Sequence, residues 1–388
     1  MGGLAISSPW ALLVVLVATV ATADVVGRIG AVRKLGPAMV VILLGAVLAN
    51  LGIIPSAAAG GPVYDQIFAT VTPAAIFLVL LDVNLASLRK AGGTMIATFL
   101  VGSFGVMLGV VAAFWLLPMA ATLGPQAAPF AGMFAATYIG GAANFNAVGL
   151  AYGVFGSGNA FTAALVVDNV MTQLWLMVLL ALPAVLLRFS RFKAGAYAAE
   201  APPEAAAEDR AQVSSLAISV PLALALSAVF IANLAAEWLA AAGLPLPSIL
   251  ILTTLALGIA QVPGVQRLRL AQPLGVWGML LFLACIGASA DLAALAASRG
   301  LGLLLFGFVA LVLLIHLAVL LGYGWWRRVD PAVLAMASVT NIGGSTTAFV
   351  MAEAHRREDL LLPGILVGAL GNAIGTYAGF AIAELLGV

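Results

Sequence analysis

The sequence predicts an all-α polytopic membrane protein built from two inverted repeats, each of about five crossings plus a re-entrant hairpin or broken helix. Three observations carry that prediction. Of 388 residues, 64% are hydrophobic and 8% are charged, whereas soluble domains run at roughly 45–50% apolar and about 25% charged. Apolar runs recur from end to end, each about as long as an α-helix needs to cross a bilayer. The second half also repeats the first. An offset of 203 residues carries Thr137, Ile139, Gly140 and Gly141 onto Thr340, Ile342, Gly343 and Gly344, and Asn169 onto Asn372.

In chain order the apolar segments of the first copy are 9–26, 37–52, 66–86, 93–118, 128–154 and 159–187. No Lys or Arg precedes the run from Pro9, so this run reads as a spanning helix and not as a cleaved signal. A polar stretch rich in Ala, Pro and Glu, 188–212, is the candidate linker. The second copy then runs 213–240, 247–262, 272–291, 298–322, 331–354 and 360–387, and its stretch from Pro247 resembles that from Pro37. The repeats are therefore 1–187 and 213–388. Continuous runs without period-two alternation exclude a transmembrane β-barrel.

Positive charge sets the orientation. Arg28, Arg33 and Lys34 fall in the first loop, Arg89 and Lys90 in the third, and none in the second or fourth. By the positive-inside rule the first and third loops are cytoplasmic and the N-terminus is outside. The linker, with Arg188, Arg191, Lys193 and Arg210, should be cytoplasmic too, yet six full crossings would leave it outside. One segment per copy must therefore fail to cross, and the Gly-Gly segments 128–154 and 331–354 are the natural choice. With both as hairpins, fifteen of the sixteen Lys and Arg residues face the cytoplasm, Arg299 alone lies outside, and the C-terminus is outside. The alternative is a discontinuous helix that crosses, since non-helical backbone at membrane depth is tolerated in either form.

Several functions are excluded by composition. A net charge of +1 offers no basic surface for nucleic acid. One cysteine, Cys285, and two histidines give no disulfide framework and no metal cluster. No phosphate-binding loop or HExxH motif is present, so no enzyme and no cofactor are expected.

What remains is a set of polar residues inside apolar segments. "YIGGAANFN" (138–146) and "TNIGGSTTA" (340–348) each place Gly-Gly beside small amide or hydroxyl residues. Interrupted segments in corresponding places of two halves are the best sequence pointer to a transporter binding site. The substrate-binding candidates are Gly140, Gly141, Asn144 and Asn146 in the first motif. Asn341, Gly343, Gly344, Ser345, Thr346 and Thr347 are those in the second, and Asn372 lies in the last segment. Half-helix N-termini there would carry partial positive charge toward an anionic group. The competing reading of the glycines is close helix packing, which also accounts for the Gly364, Gly368, Gly371, Gly375 and Gly379 stripe.

Asp168 lies mid-segment in "VVDNVMTQ", where an ionised carboxylate costs roughly 2.5–3.5 kcal/mol and is functional by default. With Asn169, Thr172 and Thr376, which the offset matches to Gln173, it forms the coupling-ion set, for H⁺ or Na⁺. Gly371 matches Asp168 in the second copy, so the site would hold one titratable group. His316 is mid-segment as well and reads either as a proton relay or as a satisfied packing residue. Asp82, Asn84 and Asp291 read as interfacial, and Glu353 as a residue of the cytoplasmic approach.

"NIGGSTTAFVMAEAH" and "ILVGALGNAIGTYAGF" (341–355 and 365–380) resemble the YjcL-like integral membrane family, domain of unknown function 819. That family is similar to bile-acid symporters, cation/proton antiporters and sodium-coupled carboxylate carriers. The resemblance implies scaffold helices at 9–86 and 213–291, a transport core at 93–187 and 298–387, an elevator-type motion and a homodimer. Asp168–Asn169 is similar to the antiporters' ion-binding pair, although the second carboxylate is missing here. The function expected is H⁺- or Na⁺-coupled symport of a small polar, carboxylate-bearing, anionic solute across the bacterial inner membrane, with lipid as the other partner. The alternatives are a Na⁺/H⁺-type antiporter using Asp168, or a non-transporting sensor or assembly module.

Overall fold

The computed structural model describes residues 8–27, 29, 32, 36–57, 61–189, 192, 214–244, 246–291, 299–345 and 347–387. Most of the linker, the first-loop residues Arg28, Arg33 and Lys34, and Thr346 lie outside the described residues. The first half contains α1 (Pro9–Val26), α2 (Gly36–Asn50), α3 (Pro62–Leu80, with a π turn at Ile67–Val71) and α4 (Gly93–Leu116). It continues with α5 (Ala127–Gly140), α6 (Ala142–Ala151) and α7 (Gly158–Leu186). In the second half are α8 (Ser215–Ala241), α9 (Ser248–Ala260), α10 (Ala271–Ser289) and α11 (Arg299–Arg327). Last come α12 (Pro331–Gly343), α13 (Thr347–His355) and α14 (Leu361–Leu385). Among the described residues there is no strand, and eight helices are long and apolar enough to cross a membrane. α2 and α9 are shorter apolar helices.

Both Gly-Gly segments are interrupted, and at matching places. Gly141 has φ 83° and ψ 179°, and Gly344 has φ 74° and ψ −173°. That region of backbone space is essentially open to glycine alone. At each break the chain turns back on itself. Phe134 and Phe145, eleven residues apart, have ring centroids 5.8 Å from one another, where a continuous helix would separate them by about 16 Å. Similarly, Met336 of α12 and Ala348 of α13 both lie against Gly364. α5–α6 and α12–α13 are thus helical hairpins.

Glycine faces bring the central helices close. Gly132 and Gly379 each sit on the other's carbonyl oxygen, and a Cβ at Gly371 would fall against the Ile139 carbonyl and the Phe99 ring. α5 and α14 therefore cross with almost no side chain between them. α4 and α11 meet the same way, with Gly105 against His316 and Gly109 against Val312.

Helices α1–α3 pack with α8–α10, and α4–α7 pack with α11–α14. The first group is tied at its ends by amide side chains. Asn50 Nδ2 donates to Ala46 O (2.8 Å) and Ala290 O (2.7 Å), joining α2 to the end of α10. Gln261 Nε2 donates to Val83 O at 2.9 Å and its Oε1 accepts from Leu85 N at 3.0 Å, joining α9 to the end of α3. Between the groups lies an aromatic contact of Phe68, Phe155, Phe161 and Phe282, with Phe155–Phe161 at 4.7 Å and Phe155–Phe282 at 4.9 Å.

Candidate functional site at the hairpin tips

The two tips converge on one turn of α14. Asn372 Oδ1 lies 3.8 Å from where a Gly141 Cβ would stand, while Gly368 packs on the Ser345 backbone. Four residues of helix span about 6 Å, so the breaks are brought to the same depth of the bundle.

Each tip is held by the third residue after its break. Asn144 Nδ2 donates to Gly140 O at 2.6 Å, and Asn144 Oδ1 accepts from Thr376 N (3.1 Å) and Thr376 Oγ1 (2.6 Å). Thr347, which the 203-residue offset matches to Asn144, donates its hydroxyl to Val339 O (3.0 Å) and Gly344 O (2.7 Å). Different side chains thus satisfy the carbonyls freed by the same backbone break. Among the described residues, the first tip is hydrogen-bonded to α14, and Thr347 of the second bonds within its own hairpin. Gly140, Gly141, Asn144, Asn372 and Thr376 come together around the first tip, so Thr376 stands on Asn144 and not in a set with Asp168. Gly343, Gly344, Ser345 and Thr347 form the second tip.

Asp168 is 7% exposed and lies against Tyr138 and Thr137 of the first hairpin. The Tyr138 and Thr137 hydroxyls face Asp168 as its donors, although Asp168 Oδ1 and the Tyr138 hydroxyl do not reach full hydrogen-bond geometry, and Asn146 Oδ1 and the Thr162 hydroxyl are buried without a partner. Among the described residues no cationic side chain pairs with Asp168. A buried carboxylate in that setting needs a bound proton or cation. Asn169 turns its amide to Leu165 O at 2.9 Å, within its own helix, and Thr172 is half-buried one turn beyond Asp168.

Two predicted polar residues lie elsewhere. Asn341 is fully buried against α4; with its nitrogen toward Ala337 O (3.1 Å) and Phe99 O (3.3 Å), its oxygen accepts from Ser103 Oγ at 2.9 Å. His316 Nδ1 donates to Gly102 O (2.9 Å), and its Nε2 faces Ser338 Oγ (2.8 Å), which also accepts from Trp175 Nε1 (3.0 Å). Because a carbonyl can only accept, the proton sits on Nδ1 and Ser338 donates to Nε2. This chain joins α4, α7, α11 and α12, and both ring nitrogens of His316 have a partner in it. Glu353 is exposed on α13. Tyr138, Thr162, Trp175 and Ser338 were not among the expected site residues. Tyr138 stands directly before the first Ile-Gly-Gly, which is the one signal that could have marked it.

Residues 11–387 match the family model described as "Protein of unknown function (DUF819)". The chain belongs to the DUF819 family. Within it, the chain is similar to YjcL, an uncharacterised membrane protein of Bacillus subtilis (strain 168). The two are 32% identical over 358 residues, covering 88% of this chain and 87% of the relative. This DUF819 protein is accordingly a multi-span helical membrane protein, and its two Gly-Gly motifs form the hairpin breaks that meet on α14.

Proposed function

We propose that the protein is a secondary active transporter, a proton-coupled symporter of a small carboxylate-bearing solute. One observation carries the reading: two interrupted hairpins in corresponding places of the two halves bring their breaks to one turn of α14, and a buried carboxyl, Asp168, lies against the first of these hairpins. Non-helical backbone at membrane depth occurs where it lines a cavity or is covered by protein, and paired interruptions are how transporters build midplane sites. The N-termini of α6 and α13 offer partial positive charge to a carboxylate. Asp168 carries the coupling proton. Its carboxyl faces the Tyr138 phenol and the Thr137 hydroxyl.

On this reading the halves are inverted repeats, α1–α3 with α8–α10 form the scaffold, and α4–α7 with α11–α14 form the moving core of an elevator. The aromatic contact of Phe68, Phe155, Phe161 and Phe282 is the bearing surface between them. Residues 188–212 are cytoplasmic, both termini lie outside, and a homodimer in the inner membrane is the working assembly. A second reading, proton antiport through Asp168 alone, draws on the same lone acid.

A thermal-shift screen of carboxylate metabolites on purified protein tests the proposal, run with and without Na⁺ at several pH values. A solute at a hundredfold its Kd stabilises by about 2.7 kcal/mol. The expected result is stabilisation by one solute class, dependent on pH but not on Na⁺, with the pH dependence lost in Asp168→Asn. Stabilisation by Na⁺ alone would favour the antiporter, and an unchanged response in Asp168→Asn would remove Asp168 from the mechanism.

A further inference from the structure

Each hairpin is fastened at its exit to the long helix that follows the other hairpin. Past the end of α6, the Tyr152 hydroxyl donates to Glu384 Oε1 of α14 at 3.0 Å. At the end of α13, His355 Nε2 lies 3.1 Å from Leu180 O of α7, and Nδ1 lies 3.0 Å from Met351 O. The offset of 203 residues that relates the two Gly-Gly motifs carries Tyr152 onto His355, and Ala181, next to Leu180, onto Glu384. These are equivalent fastenings made with different chemistry.

The chemistry separates them by proton dependence. Both partners of His355 are backbone carbonyls, which only accept, and a neutral imidazole has one N–H. Both bonds therefore exist together only in the imidazolium form. His316 differs because its Ser338 partner can donate. The phenol of Tyr152 keeps its single proton across the range, about pH 5 to 8, in which histidine changes charge.

The elements packed on α13 are α7, α12, α14 and the turn Glu358–Leu360. α7 brings Asp168, twelve residues before Leu180, and the chain just past its end brings Arg188, eight residues after it. α12 has none except its cap Asp330, which Arg357 engages at 2.7 Å. α14 has Tyr377 and, at its far end, Glu384. The turn brings Glu358 and Asp359, the latter bonded to Arg357 at 2.8 Å. On the chain of His355 itself stand Glu353 and Arg356.

We propose that His355 is a proton-operated latch on the second hairpin: the imidazolium ties α13 to α7, and loss of its proton frees the hairpin. Resting on the transporter reading, this latch makes access to the tip site from the cytoplasmic side sensitive to cytoplasmic pH, closed in acid and released in base.

Two measurements test it, and neither requires a solute. The protein has only two histidines, so nitrogen NMR of histidine-labelled protein in nanodiscs resolves both. Across the range of about pH 5 to 8 in which an imidazole can change charge, acidification should take His355 from one N–H group to two, while His316 stays a neutral Nδ1–H tautomer throughout. Hydrogen exchange of residues 347–355, corrected for intrinsic rates, should rise roughly fivefold over the same interval, the size set by one net hydrogen bond. H355Y, which gives the second copy the residue of the first, should abolish the step, and D168N should keep it. A His355 that is neutral at the lower pH, or a step that survives in H355Y, overturns the latch. A negative metabolite screen would leave these results standing and remove only what the latch gates.

Discussion

At the scale of single residues, the two breaks depend on glycine and the core depends on completed hydrogen bonds. Gly141 and Gly344 hold φ values of 83° and 74° with extended ψ, so Gly141→Ala and Gly344→Ala should each cost about 1–3 kcal/mol. Melting temperatures of the purified variants check this, and unchanged values would mean that the breaks relax. Ser338 stands between Trp175 Nε1 and His316 Nε2. Ser338→Ala strands two buried nitrogens, at roughly 1–3 kcal/mol apiece, and should lower the unfolding transition strongly although only a hydroxyl is lost. The Asn144 carboxamide uses its nitrogen on Gly140 and its oxygen on Thr376, which explains an asparagine in an otherwise apolar motif. Asn146 keeps its oxygen free, and that difference separates a structural asparagine from a candidate ligand.

At the scale of elements, helix existence and the places of interruption were legible, because long apolar runs and Gly-Gly pairs leave few alternatives. α7 and α14 begin and end within two residues of the expected segments. Loop charge and crossing parity also pointed to hairpins, and the chain reversals at Gly141 and Gly344 carry that expectation. Side-chain partners were not legible. Thr376 had been grouped with Asp168 from helical spacing, but spacing along one helix does not say which neighbour the face meets, and that neighbour is Asn144. Tyr138 was hidden for the same reason: its contact with Asp168 is made across helices. Arg357 closes the base of the second hairpin, reaching Asp330 at 2.7 Å and Asp359 at 2.8 Å. Hydrogen bonds to Asp359 and Asp330 hold its guanidinium above the usual arginine range. Asp330 in turn caps α12 through Ala332 N at 2.9 Å. Arg357→Gln should therefore loosen both ends of the hairpin, costing roughly 1.5–3 kcal/mol for charged hydrogen bonds. Faster hydrogen exchange at residues 331–335 and 352–357 would register that loosening, whereas exchange unchanged there would show that packing alone holds the base.

At the scale of the whole molecule, two bundles of helices meet along a seam of phenylalanines and a few polar contacts, such as Thr254 Oγ1 with the Tyr377 hydroxyl at 2.7 Å. Within the second bundle the two hairpins place their backbone breaks on one turn of α14, with Asp168 against the first hairpin. Ala142, at the first tip, is exposed, and Ser345, at the second, is half-buried. The central claim, that these tips line a hydrated solute path, is tested most directly by cysteine accessibility. Cys285 is buried and should leave little background. Ala142→Cys and Ser345→Cys, made separately in protein reconstituted in vesicles, would be exposed to a membrane-impermeant thiol reagent from each side. The account predicts that both cysteines react, that Asp168→Asn alters the balance between sides, and that the stabilising solute slows labelling. Complete protection of both positions from both sides, in every condition, would contradict it.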